Sequence, residues 1–289
     1  MNLLIIGGSS FIGKNLIAKL PTDWNIRATY NTSESFIDFA KGYCNVEPLK
    51  LDLTKNNIPD FGSSDVIMYL AGISPGQDDG SQIDGLNIMD FLHAKAISLV
   101  LEKATNCKKF IYFASGIYYL LNNFSDYRKS RLLGEANVKT YAGLHGCDYI
   151  IIRNMEIYGQ YMPAHKIYRK ISEAAINGIK EININGDGNN LVDTMYIDDY
   201  VEIIIKMLNS SISNKTIDVC KSSPVSIREL IDEIFEVAKR EKPKVNFYGK
   251  PSENTNFTAD NSHMIELLNF VPKISLQEGL RNWINEGLK

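Results

Sequence analysis

The opening stretch constrains this chain more than any other. NLLIIGGSSFIGKNLIAKL begins with a short apolar run, the pattern of a strand buried on both faces of a parallel sheet. Glycines and serines follow at once. Phe11, Ile12, Leu16, Ile17 and Leu20 then recur at helical spacing before Pro21 closes the unit. A strand, a tight small-residue turn and a helix bring free backbone N–H groups to a helix N-terminus, where donors and dipole together favour a phosphate. Gly7, Gly8 and Gly13 are the glycines of that turn. Ser10 stands where a glycine usually lets the backbone come closest to a pyrophosphate.

The same rhythm continues downstream. NIRATY, VEPLKLDL, SDVIMYLAG, KKFIYFAS and CDYIIIRN read as strands, and the stretches 83–105 and 127–144 as helices. Alternating strands and helices imply crossover connections, hence an α/β fold with a Rossmann-type doubly wound parallel sheet. Beyond Asn154 the alternation loosens into a smaller mixed C-terminal substrate lobe, in which Ser226 N-caps the helix SIRELIDEIFEVAKR. The expected organisation is a dinucleotide-binding domain over 1–160, joined by strand and helix segments returning from about 190–210. The substrate lobe is then mainly 161–289.

Composition narrows the partners. A formal charge of −3 and a pI of about 5.9 give no global field for nucleic acid or an anionic membrane. A phosphate-bearing ligand must therefore be held locally. Cys44, Cys107, Cys147 and Cys220 are scattered, as are the histidines, so no metal site is expected. No apolar run is long enough to span a bilayer, and a reducing, cytoplasmic location is the expectation.

Further matches fall in order along the chain: KLDLT with Asp52, YLAG over 69–72, FASGIYY with Ser115, YRKSRLLGE, IIRNMEIYG, INGDGNNLVDTMYIDDYV and LLNFVPKISLQEGL. Together these resemble the extended short-chain dehydrogenase/reductases, the NAD(P)-dependent epimerases, dehydratases and ketoreductases of sugar nucleotides. The resemblance covers nearly the whole chain. It implies that Ser115 hydrogen-bonds a substrate oxygen, that Tyr127 is the general acid/base, and that Arg131 fills the position of the family's lysine. A tyrosine hydroxyl titrates near 10 in water, so exchange near neutrality needs a neighbouring cation. Arg131 lies one turn after Tyr127 on the same helix face, whereas Lys129 points elsewhere. Arginine keeps the charge but not the shape of an ammonium.

The resemblance also assigns the cofactor to Gly7, Ser9, Ser10, Phe11, Ile12 and Gly13 at the first turn. It adds Asp52 and Leu53 near the adenine, and Leu70, Ala71 and Gly72 near a ribose, with Tyr127 and Arg131 completing the set. Ser115, Gly116, Asn154 and Val192 would meet the substrate. Three departures stand out. Ser115 and Tyr127 are closer in sequence than usual, implying a deleted substrate-side loop. Asn154 replaces a proline. Val192 replaces a phosphate-binding arginine, leaving Arg228, Lys250 or Arg281 to supply that charge. Asp187, Asp198 and Asp199 read as turn and cap residues.

Cofactor choice follows from the second strand. An acidic residue at its end would bind the ribose diol of NAD and repel the extra phosphate of NADP. Here the strand runs into Tyr30, Asn31, Thr32 and Ser33, with Glu34 further on. Neutral donors, Asn31 foremost, point to NADP, with NAD as the alternative. The expected activity is reduction of a nucleotide-linked 4-keto, 6-deoxy sugar. A sugar-nucleotide 4-epimerase is the alternative, and a non-catalytic dinucleotide-binding relative is a third reading. A homodimer is expected, since family members often pair through the helices over 83–105 and 127–144.

Overall fold

The computed structural model describes residues 1–55, 58–74, 77–104, 106–116, 125–249 and 258–288. They form two compact units. The described parts of the first lie within Met1–Ser115, Asn122–Arg153 and Ser210–Ile217, and those of the second within Gly116–Leu121, Asn154–Asn209 and Asp218–Lys289.

The first unit is built on a seven-stranded parallel sheet. In chain order its strands are β1 (Asn2–Ile6), β2 (Asn25–Tyr30), β3 (Val46–Lys50), β4 (Val66–Tyr69), β7 (Lys109–Ser115), β8 (Asp148–Asn154) and β12 (Lys215–Val219). They lie in the spatial order β12-β8-β7-β4-β1-β2-β3. The helices of this unit are α1 (Phe11–Lys19), α2 (Ser35–Lys41), α3 (Ile88–Asp90), α4 (Ala96–Glu102) and α5 (Asp126–Leu144). β1 shows why the sheet takes this form. Leu4 and Ile6 pack into a core with Ile97 and Val100 of α4 and Val138 and Ala142 of α5, while Leu3 and Ile5 are equally buried on the opposite face. An apolar run covered on both sides belongs in a parallel sheet.

The helix expected over 83–105 is corrected by the structure. Residues 82–87 form a small hairpin, β5 (Gln82–Ile83) and β6 (Leu86–Asn87), and the helix begins only at Ile88. The reason is local. Asp84 and Gly85 both take positive φ, 51° and 74°, the turn that an Asp-Gly pair favours between short strands. Asn87 then caps the helix by accepting the Met89 N–H at 2.8 Å. Between α3 and α4 the chain makes a π-helical turn, Phe91–Lys95.

The second unit contains β9 (Glu156–Tyr158), β10 (Glu181–Asn185), β11 (Leu191–Tyr196), β13 (Pro224–Ser226) and β14 (Lys244–Tyr248). Its helices are α6 (Ile167–Ile176), α7 (Ile197–Leu208), α8 (Ile227–Val237), α9 (Ser262–Leu268) and α10 (Leu276–Asn285). β13, β11 and β9 form one sheet, and β10 pairs with β14 in another. Ser226 caps α8 in a reciprocal capping box with Glu229. The sequence puts the return to the first unit at about 190–210. The returning segment is Ser210–Ile217, because β11 is already held by β9 and β13. Among the described residues, no helix is long and apolar enough to cross a membrane, and no cluster of metal-ligating side chains occurs.

Candidate active site

The first turn is shaped by close backbone packing. Gly7 has φ 89°, and a Cβ there would lie 2.9 Å from the Ala71 nitrogen. A Cβ on Gly13 would stand 2.5 Å from the carbonyl oxygen of Gly8. Both positions therefore exclude larger residues on packing grounds alone. The Gly7 N–H donates to Thr29 Oγ1 at 2.8 Å, and the Ser9 N–H to the Thr29 carbonyl at 3.3 Å. Ser10 acts as the N-cap of α1, its hydroxyl oxygen accepting the Gly13 N–H at 3.1 Å. The N–H groups of Phe11 and Ile12 open the helix with no intrahelical acceptor. Together they form a donor-rich terminus suited to an anion.

Tyr127 and Arg131 meet on one face of α5. The guanidinium carbon of Arg131 is 5.1 Å from the Tyr127 ring centre. Its Nη1 donates to the Phe113 carbonyl at 3.2 Å and reaches the Tyr112 hydroxyl at 3.5 Å. Arg131 Nε is buried with no partner, and among the described residues no carboxylate pairs with this guanidinium. Burial opposes the Arg131 charge, but the oxygens of Tyr127 and Tyr112 favour it, with a net rise above the ordinary guanidinium value. Lys129 turns away to Asp90 at 2.8 Å and Asp126 at 3.6 Å, joining α5 to α3.

Behind this pair lies a residue that sequence reasoning passed over. His93 is fully buried in the π-helical turn. Its Nε2 accepts the Ile73 N–H at 3.1 Å, which fixes the tautomer and leaves Nδ1–H to donate to Ser130 Oγ at 2.9 Å. Ser130 passes its own hydrogen to the Tyr127 carbonyl at 2.8 Å. Burial first, and the Arg131 charge second, push the imidazole pKa down to about 2, so His93 is neutral. The π-helical turn also frees carbonyls. Tyr69 donates to Leu92 at 2.7 Å, Tyr112 to His93 at 3.2 Å, and Asn137 to Ala94 at 2.9 Å. The available signals were slight: a lone histidine in an apolar helix, and the Ser130 and Gly134 pair, whose small size lets two helices approach.

The other expected residues fall as follows. Asn31 follows β2 and is exposed, and Glu34 is engaged by Lys50 at 2.6 Å. Asp52 accepts from Thr54 N–H and Oγ1 at 3.1 and 2.6 Å, opening the short helical turn that buries Leu53. Leu70, Ala71 and Gly72 leave β4, and a Cβ on Gly72 would lie 2.6 Å from His93 Nε2 and 3.3 Å from Arg131 Nη2. Ser115 ends β7, the strand whose Tyr112 and Phe113 touch Arg131. In the second unit, a Cβ on Gly116 would meet Met155 at 2.2 Å. Asn154 Oδ1 accepts the Tyr200 hydroxyl at 2.5 Å, and Val192 pairs with Val225. Arg228 stacks on Phe247 at 3.9 Å. Lys250 lies outside the described residues. Asp187 accepts from Asn189 and Asp199 from Ile274, both as turn and loop ties.

A donor-rich helix terminus and a buried cation with an unpartnered Nε suit a dinucleotide: the first faces phosphates, and the second needs an acceptor. The fold and this site define a Rossmann-type dinucleotide-binding protein. The sequence profile of the NAD dependent epimerase/dehydratase family matches residues 3–220, and the chain belongs to that family. It is an enzyme of the extended short-chain dehydrogenase/reductase type. Among relatives, it is 23% identical to a putative UDP-glucose 4-epimerase of Methanocaldococcus jannaschii, over 98% of this chain and 97% of that one. It is 22% identical to a dTDP-glucose 4,6-dehydratase of Haemophilus influenzae, over 98% and 97%. Among solved structures, UDP-glucuronic acid 4-epimerase from Bacillus cereus, in complex with a UDP-sugar and NAD, has the same fold. The TM-score is 0.83 at 20% identity, covering 99% of both chains.

Proposed function

We propose that this enzyme reduces the 4-keto group of a nucleotide-linked 6-deoxy sugar with NADPH as the hydride source, and that Tyr127 delivers the proton. The observation that carries this reading is the Tyr127–Arg131 pair, a phenol and an uncompensated guanidinium 5.1 Å from its ring on one helix face. The turn from Gly7 to Gly13, with the α1 N–H groups, would hold the pyrophosphate. Asp52 and Leu53 would lie by the adenine, Leu70, Ala71 and Gly72 by a ribose, and Arg131 would take a ribose hydroxyl with Nε. When bound, the nicotinamide supplies the hydride. Tyr127 gives its proton to the sugar oxygen as charge develops there, with Arg131 stabilising the phenolate left behind. Ser115 donates a second hydrogen bond to that oxygen, and Gly116, Asn154 and Val192 belong to the sugar side.

NADP is favoured by the end of β2. Asn31 is neutral, and Glu34 further on is paired with Lys50 at 2.6 Å. A neutral side chain at that position does not repel a 2′-phosphate. The second reading, an NAD-dependent 4-epimerase, is favoured by the similarity to 4-epimerases, and it would use the same tyrosine with no net change of cofactor. The partners we assign are a sugar nucleotide and a second copy of this chain. Leu132, Leu133 and Leu144 leave α5 with exposed apolar side chains that suit self-association. We assign a cytoplasmic location.

Stopped-flow absorbance of NADPH mixed with a dTDP- or UDP-linked 4-keto-6-deoxy sugar tests the reductase reading. Oxidation of NADPH in proportion to sugar supports it. Interconversion of UDP-glucose and UDP-galactose with no NADPH consumed assigns the epimerase instead.

A further inference from the structure

We propose that His93 is the positioning residue that sets the catalytic tyrosine: a neutral imidazole tying the loop after β4 to the first turn of α5. This inference rests on the reading of Tyr127 as the proton donor. Its support is a chain of hydrogen bonds with one direction for each proton. Ile73 N–H donates to Nε2, Nδ1–H donates to Ser130 Oγ, and Ser130 donates to the Tyr127 carbonyl, at 3.1, 2.9 and 2.8 Å. The rings of His93 and Tyr127 also meet edge to face, with centres 5.6 Å apart at 86°. Both the backbone and the ring of Tyr127 are thus fixed by one side chain.

The π-helical turn is what allows it. Extra backbone between Phe91 and Lys95 is tolerated because Tyr69, Tyr112 and Asn137 take up the carbonyls it frees. Those donors hold the turn in place, and His93 with it. Among the described residues, the titratable and charged groups near the imidazole include Tyr127 and Arg131 of α5, Tyr112 of β7, Tyr69 of β4, and Asp90 and Lys95 on its own helical segment, Asp90 being paired with Lys129. Arg131 is the cation that a protonated His93 would face. An added proton on Nε2 would also point at the Ile73 N–H, donor against donor. Neutrality therefore belongs to the geometry. An imidazole that stayed charged would displace the loop that carries Gly72 and the helix that carries Tyr127.

The experiment combines spectroscopy with kinetics on the full chain. Selective ¹⁵N labelling of histidine should show His93 as the neutral Nδ1–H tautomer throughout pH 8 to 5, at values where a solvated imidazole would have titrated. In ¹³C-tyrosine spectra, His93→Phe should move the Tyr127 resonance while leaving buried Tyr168 in the second unit unmoved. With NADPH and a 4-keto-6-deoxy sugar nucleotide, His93→Phe should lower kcat by about tenfold to a hundredfold with NADPH affinity retained, the scale of a misplaced reacting group. His93→Gln, with an acceptor oxygen for Ile73 and an amide for Ser130, should recover most of the loss, and the shorter His93→Asn should not. Should His93→Phe fail to fold, the Gln and Asn pair carries the comparison. Titration of His93 near neutrality, or a Tyr127 resonance indifferent to every His93 variant, overturns the proposal. A wild type inactive on every keto sugar overturns the proposed reaction, while the spectra still decide whether His93 positions Tyr127.

Discussion

Gly134 offers a substitution whose sign is set by the packing of the site. In an exposed helix interior, glycine to alanine stabilises by about 1 kcal/mol. In α5 the new methyl would stand 2.1 Å from the His93 carbonyl oxygen and 2.5 Å from the Tyr112 hydroxyl. The first of these is backbone and cannot turn aside. Forcing the two helices apart costs about 1–3 kcal/mol. Displacing the Tyr112 hydroxyl from that carbonyl, now 3.2 Å away, adds about 1 kcal/mol. After the helix propensity gain is subtracted, Gly134→Ala should destabilise by about 1–3 kcal/mol. Gly143 lies in the same helix with nothing within 4 Å of its Cβ position. Gly143→Ala should therefore be neutral or stabilising, by at most about 1 kcal/mol. Urea unfolding of the two variants beside the wild type measures both signs. A Gly134→Ala protein as stable as the wild type would refute the close helix approach, and with it the packing around His93.

Acid should unfold the protein partly through His93. Its folded pKa of about 2 lies below the ordinary 6.5, so below pH 6.5 the unfolded chain binds a proton that the folded one refuses. Stability is lost as pH falls, by about 2 kcal/mol from this group between pH 6.5 and 5. A urea series over that range should flatten in His93→Gln, and an equal slope in both proteins would rule the buried neutral imidazole out. For the cofactor, Asn31→Asp should weaken NADPH binding far more than NADH through repulsion of the 2′-phosphate. Calorimetry reads this directly, and equal weakening would remove the case for NADP.

Much of this was legible in the amino-acid sequence, for identifiable reasons. The apolar run before Gly7 and the helical spacing after it are local signals, so β1, the turn and α1 stand where the sequence places them. Ser226 and Glu229 form a capping box that depends on spacing alone. The Asp84–Gly85 turn was equally local, but apolar spacing across 83–105 masked it. The role of His93 was of another kind. It depends on a π-helical turn supported by Tyr69, Tyr112 and Asn137, donors from two strands and another helix, and no local pattern encodes such a meeting. Ser10 proved readable in retrospect: in place of a glycine it supplies the cap of α1. Asn154 did not, since only tertiary packing brings Tyr200 to its oxygen.

The central claim is that Tyr127 and Arg131 form a working proton-transfer pair. The most direct measurement compares wild type, Tyr127→Phe and Arg131→Ala for NADPH binding by calorimetry and for deuterium transfer from 4-deuterated NADPH into a 4-keto-6-deoxy sugar nucleotide. The wild type should label the sugar at the reduced carbon. Tyr127→Phe should bind NADPH nearly as tightly yet transfer no deuterium, and Arg131→Ala should lose affinity and transfer together. Transfer that survives in Tyr127→Phe at the wild-type rate, or a wild type that binds NADPH and labels nothing, would contradict the account.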